Sequence, residues 1–291
     1  MRIVTVDDDG RPRGGVLVRD GGIAALERWG SASVEDLIAA GPDKWAEVEQ
    51  LAPATPADWP PDHLLRSPVT RTPRNIFCIG VNYVTHYDEG ERQGVPMPEK
   101  PVIFTKAWTT LIGPTDDIVV DRSATDKVDW EAELAVVIGV GGVNIPEDEA
   151  MQHVFGFSLA NDVSARDLQQ ANGPFSQWHK GKSLDGFCPL GPWIAHGSSF
   201  PGLESLRVQL FVNGTLKQDF RPGEMYHSVS KLISYLSKGM ALLPGDVILT
   251  GTAAGVGLWQ SPPQFLVAGD EVEIRCDGLG TMRNRVVEGR H

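Results

Sequence analysis

Long apolar runs are missing from this chain. No stretch reaches the roughly 18 residues that a membrane span needs, so membrane insertion is not expected. Cysteine is scarce: Cys78, Cys188 and Cys276 are odd in number, far apart and form no CxxC pair. That excludes a disulfide framework and a zinc ribbon, and it fits a reducing cytoplasm. Positive charge is in deficit, with 26 Lys and Arg against 38 Asp and Glu and a net charge of −12. This excess of acid repels phosphate backbones, so nucleic acid is not an expected partner. The opening MRIVTVDDDG has neither the apolar core of a signal peptide nor the acid-poor bias of a transit peptide. A GxSxG elbow is absent, which removes the usual serine-hydrolase reading. Gly181-Lys182-Ser183 lacks the spacing of a phosphate loop, and no βαβ unit follows any glycine-rich turn, so nucleotide binding is unsupported.

What is present favours strands. The 291 residues include 32 Gly and 21 Pro, and 41% are hydrophobic, an ordinary globular balance with many turns. The fold class expected is mainly β or α+β. Residues 1–70 read as a small N-terminal α+β accessory domain with a linker. They offer the strands MRIVTV and GGVLVRDGGIAAL, then a helical stretch that Ser33 can cap and Gly41-Pro42 interrupts, and then the start of PATPADWPPDHLLRSPVTRTPRN, a segment with six prolines that runs on to Asn75. Residues 71–291 read as the catalytic domain. Its strands include NIFCIG, PVIFTK, DWEAELAVVIG, FGFSLAN, DVILT, EVEIRC and TMRNRVV. Asn213-Gly214 marks a hairpin. SVSKLISYLSKG reads as a helix capped by Ser228, with Val229, Leu232, Ile233 and Leu236 on one face and Gly239 able to end it.

Three stretches carry candidate chemistry. In Asp129-Trp130-Glu131-Ala132-Glu133, residues two apart share a strand face, so Glu131 and Glu133 point the same way at the start of a core run. Paired carboxylates beside a core repel one another and resist desolvation, and a divalent cation held by oxygen ligands relieves both. Removing one charge from such a cluster need not destabilise it. The alternative is a solvated strand end. Asp162 stands where the apolar FGFSLA runs out, either as a third carboxylate or as a helix cap. Arg166 and Gln169 share its face if the chain turns helical there. His86 and Glu89 are three apart and face each other on one helical turn, which makes a general base or else a surface pair. Lys182 lies in a loop bounded by Gly and Pro and is able to meet an anionic substrate. The glycines of Leu249-Thr250-Gly251-Thr252-Ala253-Ala254-Gly255-Val256-Gly257 allow backbone N–H groups to approach an anion.

Taken in order, NYxxHxxE, the strand ExE, NDVSARD, GKSLDGFCPLGP and LTGTxxGVG resemble the fumarylacetoacetate hydrolase family over about residues 74–287. The resemblance implies a mixed β-sandwich roll core and a homodimer. It implies Mg²⁺ or Mn²⁺ on Glu131, Glu133 and Asp162, a His86–Glu89 dyad and Lys182 in the active site. Arg166, Gln169, Thr252 and Lys106 are implied as substrate contacts. One departure bears on substrate shape: Ala253-Ala254 follows Thr252 where many relatives have proline. The function expected is metal-dependent hydrolysis of a 2,4-dioxo acid (an acylpyruvate), with His86 activating water. The rivals are decarboxylation of oxaloacetate or another 2-keto diacid, and isomerisation or hydration of a 2-hydroxydienoate. The dyad weighs against the isomerase.

Overall fold

The computed structural model describes residues 1–89, 96–171 and 176–289, with the side chain of Ser198 excepted. Two sheets carry the core. The larger has eleven strands, and its main path runs Ile23–Ala25, Arg11–Leu17, Arg2–Asp8, Cys188–Ala195, Val154–Asn161, Ala132–Ile138, Val247–Leu249, Ile76–Gly80, Val102–Lys106. The smaller has five, in the order Thr215–Phe220, Val208–Val212, Glu271–Cys276, Gly280–Glu288, Ile118–Val120. No helix of the described residues is long and apolar enough to cross a membrane.

Ala132–Ile138 is the pivot, and all seven of its residues are buried. Its strand alternation splits between two apolar layers. Leu134, Val136 and Ile138 pack with Val208, Leu210, Ile274 and Met282 of the smaller sheet. Ala135 and Val137 pack on the other side with Leu37, Ile38 and Trp45 of the N-terminal helices Val34–Ala40 and Pro42–Leu51. A strand covered on both faces reads as a continuous apolar run, which is why AVVI shows no polar alternation.

The short-range signals act as their chemistry dictates. Ser33 closes a capping box with Asp36. Asn213 and Gly214 both take positive φ, 50° and 74°, as a tight two-residue hairpin turn requires. Ser228 accepts from Lys231 N, and the helix Val229–Leu236 buries the four apolar residues expected of it. That helix ends at Ser237, ahead of Gly239.

Residues 1–70 build no separate sheet. Their first strand pairs with Cys188–Ala195 at Arg2↔Ala195 and Ile3↔Ile194, so the N-terminal strands extend the large sheet. The proline-rich segment lies along it, and Leu65–Arg66 adds to the same first strand.

Candidate active site

The carboxylates meet where four distant segments end. Glu131 lies one residue ahead of its strand, and side chains bridge the backbone there. Asn161 Oδ1 accepts from Glu131 N, Gln218 Oε1 accepts from Ala132 N, and Asp162 N donates to Glu131 O. This lacing brings Asp162, just past Val154–Asn161, beside Glu131 and Glu133. One oxygen from each of the three falls within 4.8 Å of the others. All three are buried, at 5%, 1% and 0% exposure, so neither glutamate sits at a solvated strand end. The helix that follows, Arg166–Gln169, begins after Ala165, so Asp162 does not cap it.

Cations fill the space around them. Lys182 Nζ donates to Glu131 Oε2 at 2.6 Å and to Asp162 Oδ2 at 2.7 Å. Lys106 Nζ donates to Asp162 Oδ1 at 2.7 Å and to Val163 O at 3.0 Å. Arg166 pairs with Asp129 Oδ2 through Nε at 2.8 Å, and its NH2 lies 2.6 Å from Glu131 Oε1 without the alignment of a hydrogen bond. Three cations therefore face four carboxylates. Burial disfavours the charge of Glu131, but Lys182, Arg166 and His86 outweigh it and hold the carboxyl at about 2. Burial likewise opposes the charge of Lys182, and Asp162 and Glu131 overcome it, leaving the ammonium firmer than an ordinary lysine.

Glu133 is the exception. Among the described residues its one hydrogen-bond donor is Gly251 N, at 2.7 Å. Burial first, then the Asp162 and Glu131 carboxylates, push its pKa well above the ordinary range. A buried carboxylate with no cation of its own is costly. That is the position in which a divalent ion fits: an all-oxygen donor set with one negative charge in excess suits Mg²⁺ or Mn²⁺.

The other expected residues divide into two groups. His86 and Glu89 lie on the single helical turn Val84–Glu89, with Nδ1 of the ring 3.2 Å from Glu89 Oε2. Their side chains are 17% and 15% exposed, and His86 borders the cavity above the carboxylates, so this is not a surface pair. That cavity, of about 160 Å³, is also lined by Glu131, Glu133, Lys182, Gln169 and Thr252. Lys182 is the last residue of the helix Trp178–Lys182 rather than part of a loop. Its approach to Gln169 depends on Gly181, where a Cβ would stand 2.5 Å from Gln169 N.

Two expected substrate contacts are differently engaged. Lys106 lies behind Asp162 and is not among the residues that line the cavity. Thr252 lines it, but its hydroxyl donates to Ala132 O and accepts from Gln218 Nε2, leaving no proton for a ligand. Helical spacing joins Arg166 and Gln169, whose NH1 and Oε1 hydrogen-bond at 3.0 Å, but Asp162 precedes the helix and is linked to Arg166 through Lys182 and Glu131.

The glycine-rich loop does bind anions, but they are the protein's own. Gly251 N goes to Glu133, Gly255 N to Glu89 Oε1 at 2.9 Å, and Gly257 N and Leu258 N to Asp129 at 2.6 and 2.9 Å. Gly255 is required by its φ of +105° and by Lys217 O, which stands 1.9 Å from where a Cβ would be. Asp129 was not singled out from the sequence. Its signal was there: the period-two spacing of Glu133 and Glu131 continues back to it.

The profile described as "Fumarylacetoacetate (FAA) hydrolase C-terminal" matches residues 75–287. The chain is 43% identical over 222 residues to oxaloacetate tautomerase YisK of Bacillus subtilis, spanning 76% of this chain and 72% of that one. It is 46% identical over 224 residues to the mitochondrial oxaloacetate tautomerase fahd2 of Xenopus laevis, spanning 77% and 68%. Among solved structures, maleylpyruvate hydrolase from Sphingobium sp. SYK-6, in complex with manganese(II) and pyruvate, superposes over 100% of both chains with a TM-score of 0.80 at 28% identity. With the fold, the ordered motifs and the profile in agreement, the chain belongs to the fumarylacetoacetate hydrolase family.

Proposed function

We propose that the protein is a metal-dependent enzyme that interconverts the keto and enol forms of a small 2-keto diacid, with oxaloacetate as its substrate. The observation that supports this is one small cavity lined by Glu131, Glu133, Lys182 and His86, with Asp162 completing the carboxylate triad beside it. Similarity to two oxaloacetate tautomerases selects the reaction.

A Mg²⁺ or Mn²⁺ ion on Glu131, Glu133 and Asp162 would supply Lewis acidity at the α-keto end. The protein's own groups do the rest. With Nδ1 of His86 turned to Glu89, Nε2 is the nitrogen that takes a proton. In our reading it removes one from C3 of the keto acid. The C–H electron pair becomes the C2–C3 double bond, and the carbonyl pair moves onto the keto oxygen. The same proton then passes from Nε2 to that oxygen, giving the enol. Lys182 keeps its proton throughout and places fixed positive charge beside the developing oxyanion. A general base serves proton transfer as well as water activation, so the dyad does not weigh against an isomerisation.

This reading displaces acylpyruvate hydrolysis as the leading one, because the relatives at 43% and 46% identity are named as tautomerases. Decarboxylation of the same diacid passes through the same enolate and stays close to it. Hydrolysis ranks next, on the resemblance to maleylpyruvate hydrolase. The test is a panel of oxaloacetate, acetylpyruvate and fumarylpyruvate with the Mg²⁺ and Mn²⁺ forms, following enol absorbance, CO₂ and pyruvate. Faster keto–enol relaxation of oxaloacetate without matching pyruvate formation is expected. Pyruvate from acetylpyruvate with no effect on oxaloacetate would overturn the proposal.

A further inference from the structure

Asp129 is fully buried, and its carboxylate accepts four hydrogen bonds. Oδ1 takes Trp130 N at 2.8 Å and Gly257 N at 2.6 Å. Oδ2 takes Leu258 N at 2.9 Å and Arg166 Nε at 2.8 Å. One side chain thus joins the backbone ahead of Glu131, the loop that carries Leu258 and Trp259 into the cavity wall, and the Arg166 guanidinium.

Two nitrogens of Arg166 are committed in turn, while its buried NH2 has no aligned hydrogen bond. Nε is on Asp129, NH2 faces Glu131, and NH1 donates to Gln169 Oε1 at 3.0 Å. A guanidinium only donates, so the Gln169 amide must turn its oxygen toward it. The amide NH2 is the end left for the cavity, which Gln169 lines. Lys106 and Lys182 are each held by carboxylates, and Arg166, which also lines the cavity, has its Nε and NH1 on Asp129 and Gln169.

We propose that Asp129 is a positioning residue for substrate choice: by anchoring Arg166 it fixes the Gln169 amide with its NH2 toward the substrate, where it receives the carboxylate remote from the keto acid end. The inference rests on the diacid reading above and on Gln169 as a substrate contact, which the family resemblance implies, and adds what holds that amide in place. The relay predicts a preference for diacids over monoacids that vanishes when either end of it is altered.

The test uses Mg²⁺-loaded protein and calorimetric binding of two probes. One is 3,3-difluoro-oxaloacetate, which has both carboxylates but no C3 proton to lose. The other is pyruvate, which lacks the second carboxylate. Wild type should bind the difluoro diacid more tightly. Asp129→Asn should weaken the diacid about tenfold, the size of one hydrogen bond to a charged group, and pyruvate less than twofold. Gln169→Leu should do the same, and the double variant should be no worse than either single one, because both cut one relay. Equal losses for both probes, or losses that multiply, would overturn the role. Gln169→Glu guards against a folding defect at Asp129. It keeps an acceptor for Arg166 but replaces the NH2 with a second acceptor, so undiminished diacid binding by this variant would also overturn the proposal. Failure of the proposed activity looks different: wild type would not turn over oxaloacetate, whatever the binding ratios.

Discussion

Two regions of the same large sheet solve burial in opposite ways. At the N-terminal seam, Ile3, Val16, Leu26, Leu37 and Trp45 close against the core as one apolar cluster. At the candidate site, seven charged side chains from Lys106 to Lys182 are buried together. Replacing buried ion pairs by apolar residues of similar volume is often neutral or stabilising, so such a cluster is poor evidence of a stability device. The contrast teaches that the seam holds the fold and the charges serve the site. Strained or costly groups concentrate at functional positions and are supported from elsewhere.

Variants should separate the two regions. The largest effect expected is at Glu133. Glu133→Gln should lower Mg²⁺ affinity at least tenfold and remove activity at micromolar metal, while metal-free stability holds or rises. Metal titration and chemical denaturation check both parts. At Glu131 the geometry argues against the expectation that removing one charge from the cluster need not destabilise it. Glu131 pairs with Lys182 and Arg166, so its neutralisation leaves two buried cations short of charge, and Glu131→Gln should also destabilise. Next is His86→Ala, which should cut oxaloacetate tautomerisation about 10²–10⁴-fold with substrate binding largely kept. Lys182→Met should follow, with a loss in kcat/KM of at least about tenfold, or 1.4 kcal/mol.

The seam gives the converse. Leu37→Ala removes a fully buried side chain and should cost about 2–5 kcal/mol of stability with kcat/KM of the folded protein unchanged. Lost activity in proportion to lost stability would erase the distinction between the regions. The smallest effect is a pH response at the seam. His196 is half-buried, its ring meets Phe155 O, and desolvation depresses its pKa below the ordinary 6.5. The folded state binds this proton less readily than the unfolded chain. The stability contribution is therefore complete above about 6.5 and is lost as pH falls from there through the lower folded value. Urea midpoints across that range should show a slope that His196→Gln removes.

These same regions show what was legible in the sequence. The caps, the Asn213-Gly214 turn and most strands follow from local periodicity and turn chemistry, but the internal strand Cys188–Ala195 begins in a stretch whose glycines and prolines read as a loop. Glu131, Glu133 and Asp162 were readable because acidic side chains next to core runs are anomalous. Their partners were not. Lys106 reaches Asp162 across 56 positions and Lys182 reaches Glu131 across 51, distances that only sheet order closes. The glycine loop was legible as an anion cradle, but not that its anions would be Glu89, Glu133 and Asp129. The joining of Ile3 to Ile194 was equally hidden, since the local pattern of a strand carries no mark of its distant partner.

The central claim is that the cage acts on oxaloacetate through a bound divalent ion. The most direct measurement is the relaxation of enol absorbance after oxaloacetate is added to EDTA-stripped protein, then to the same protein with Mg²⁺ or Mn²⁺ returned. Glu133→Gln under identical free metal corrects for catalysis by the ion alone. The account predicts a rate near buffer for the stripped protein, strong acceleration on metal return, and little of it in the variant. Equal rates for stripped and metal-loaded wild type would contradict it.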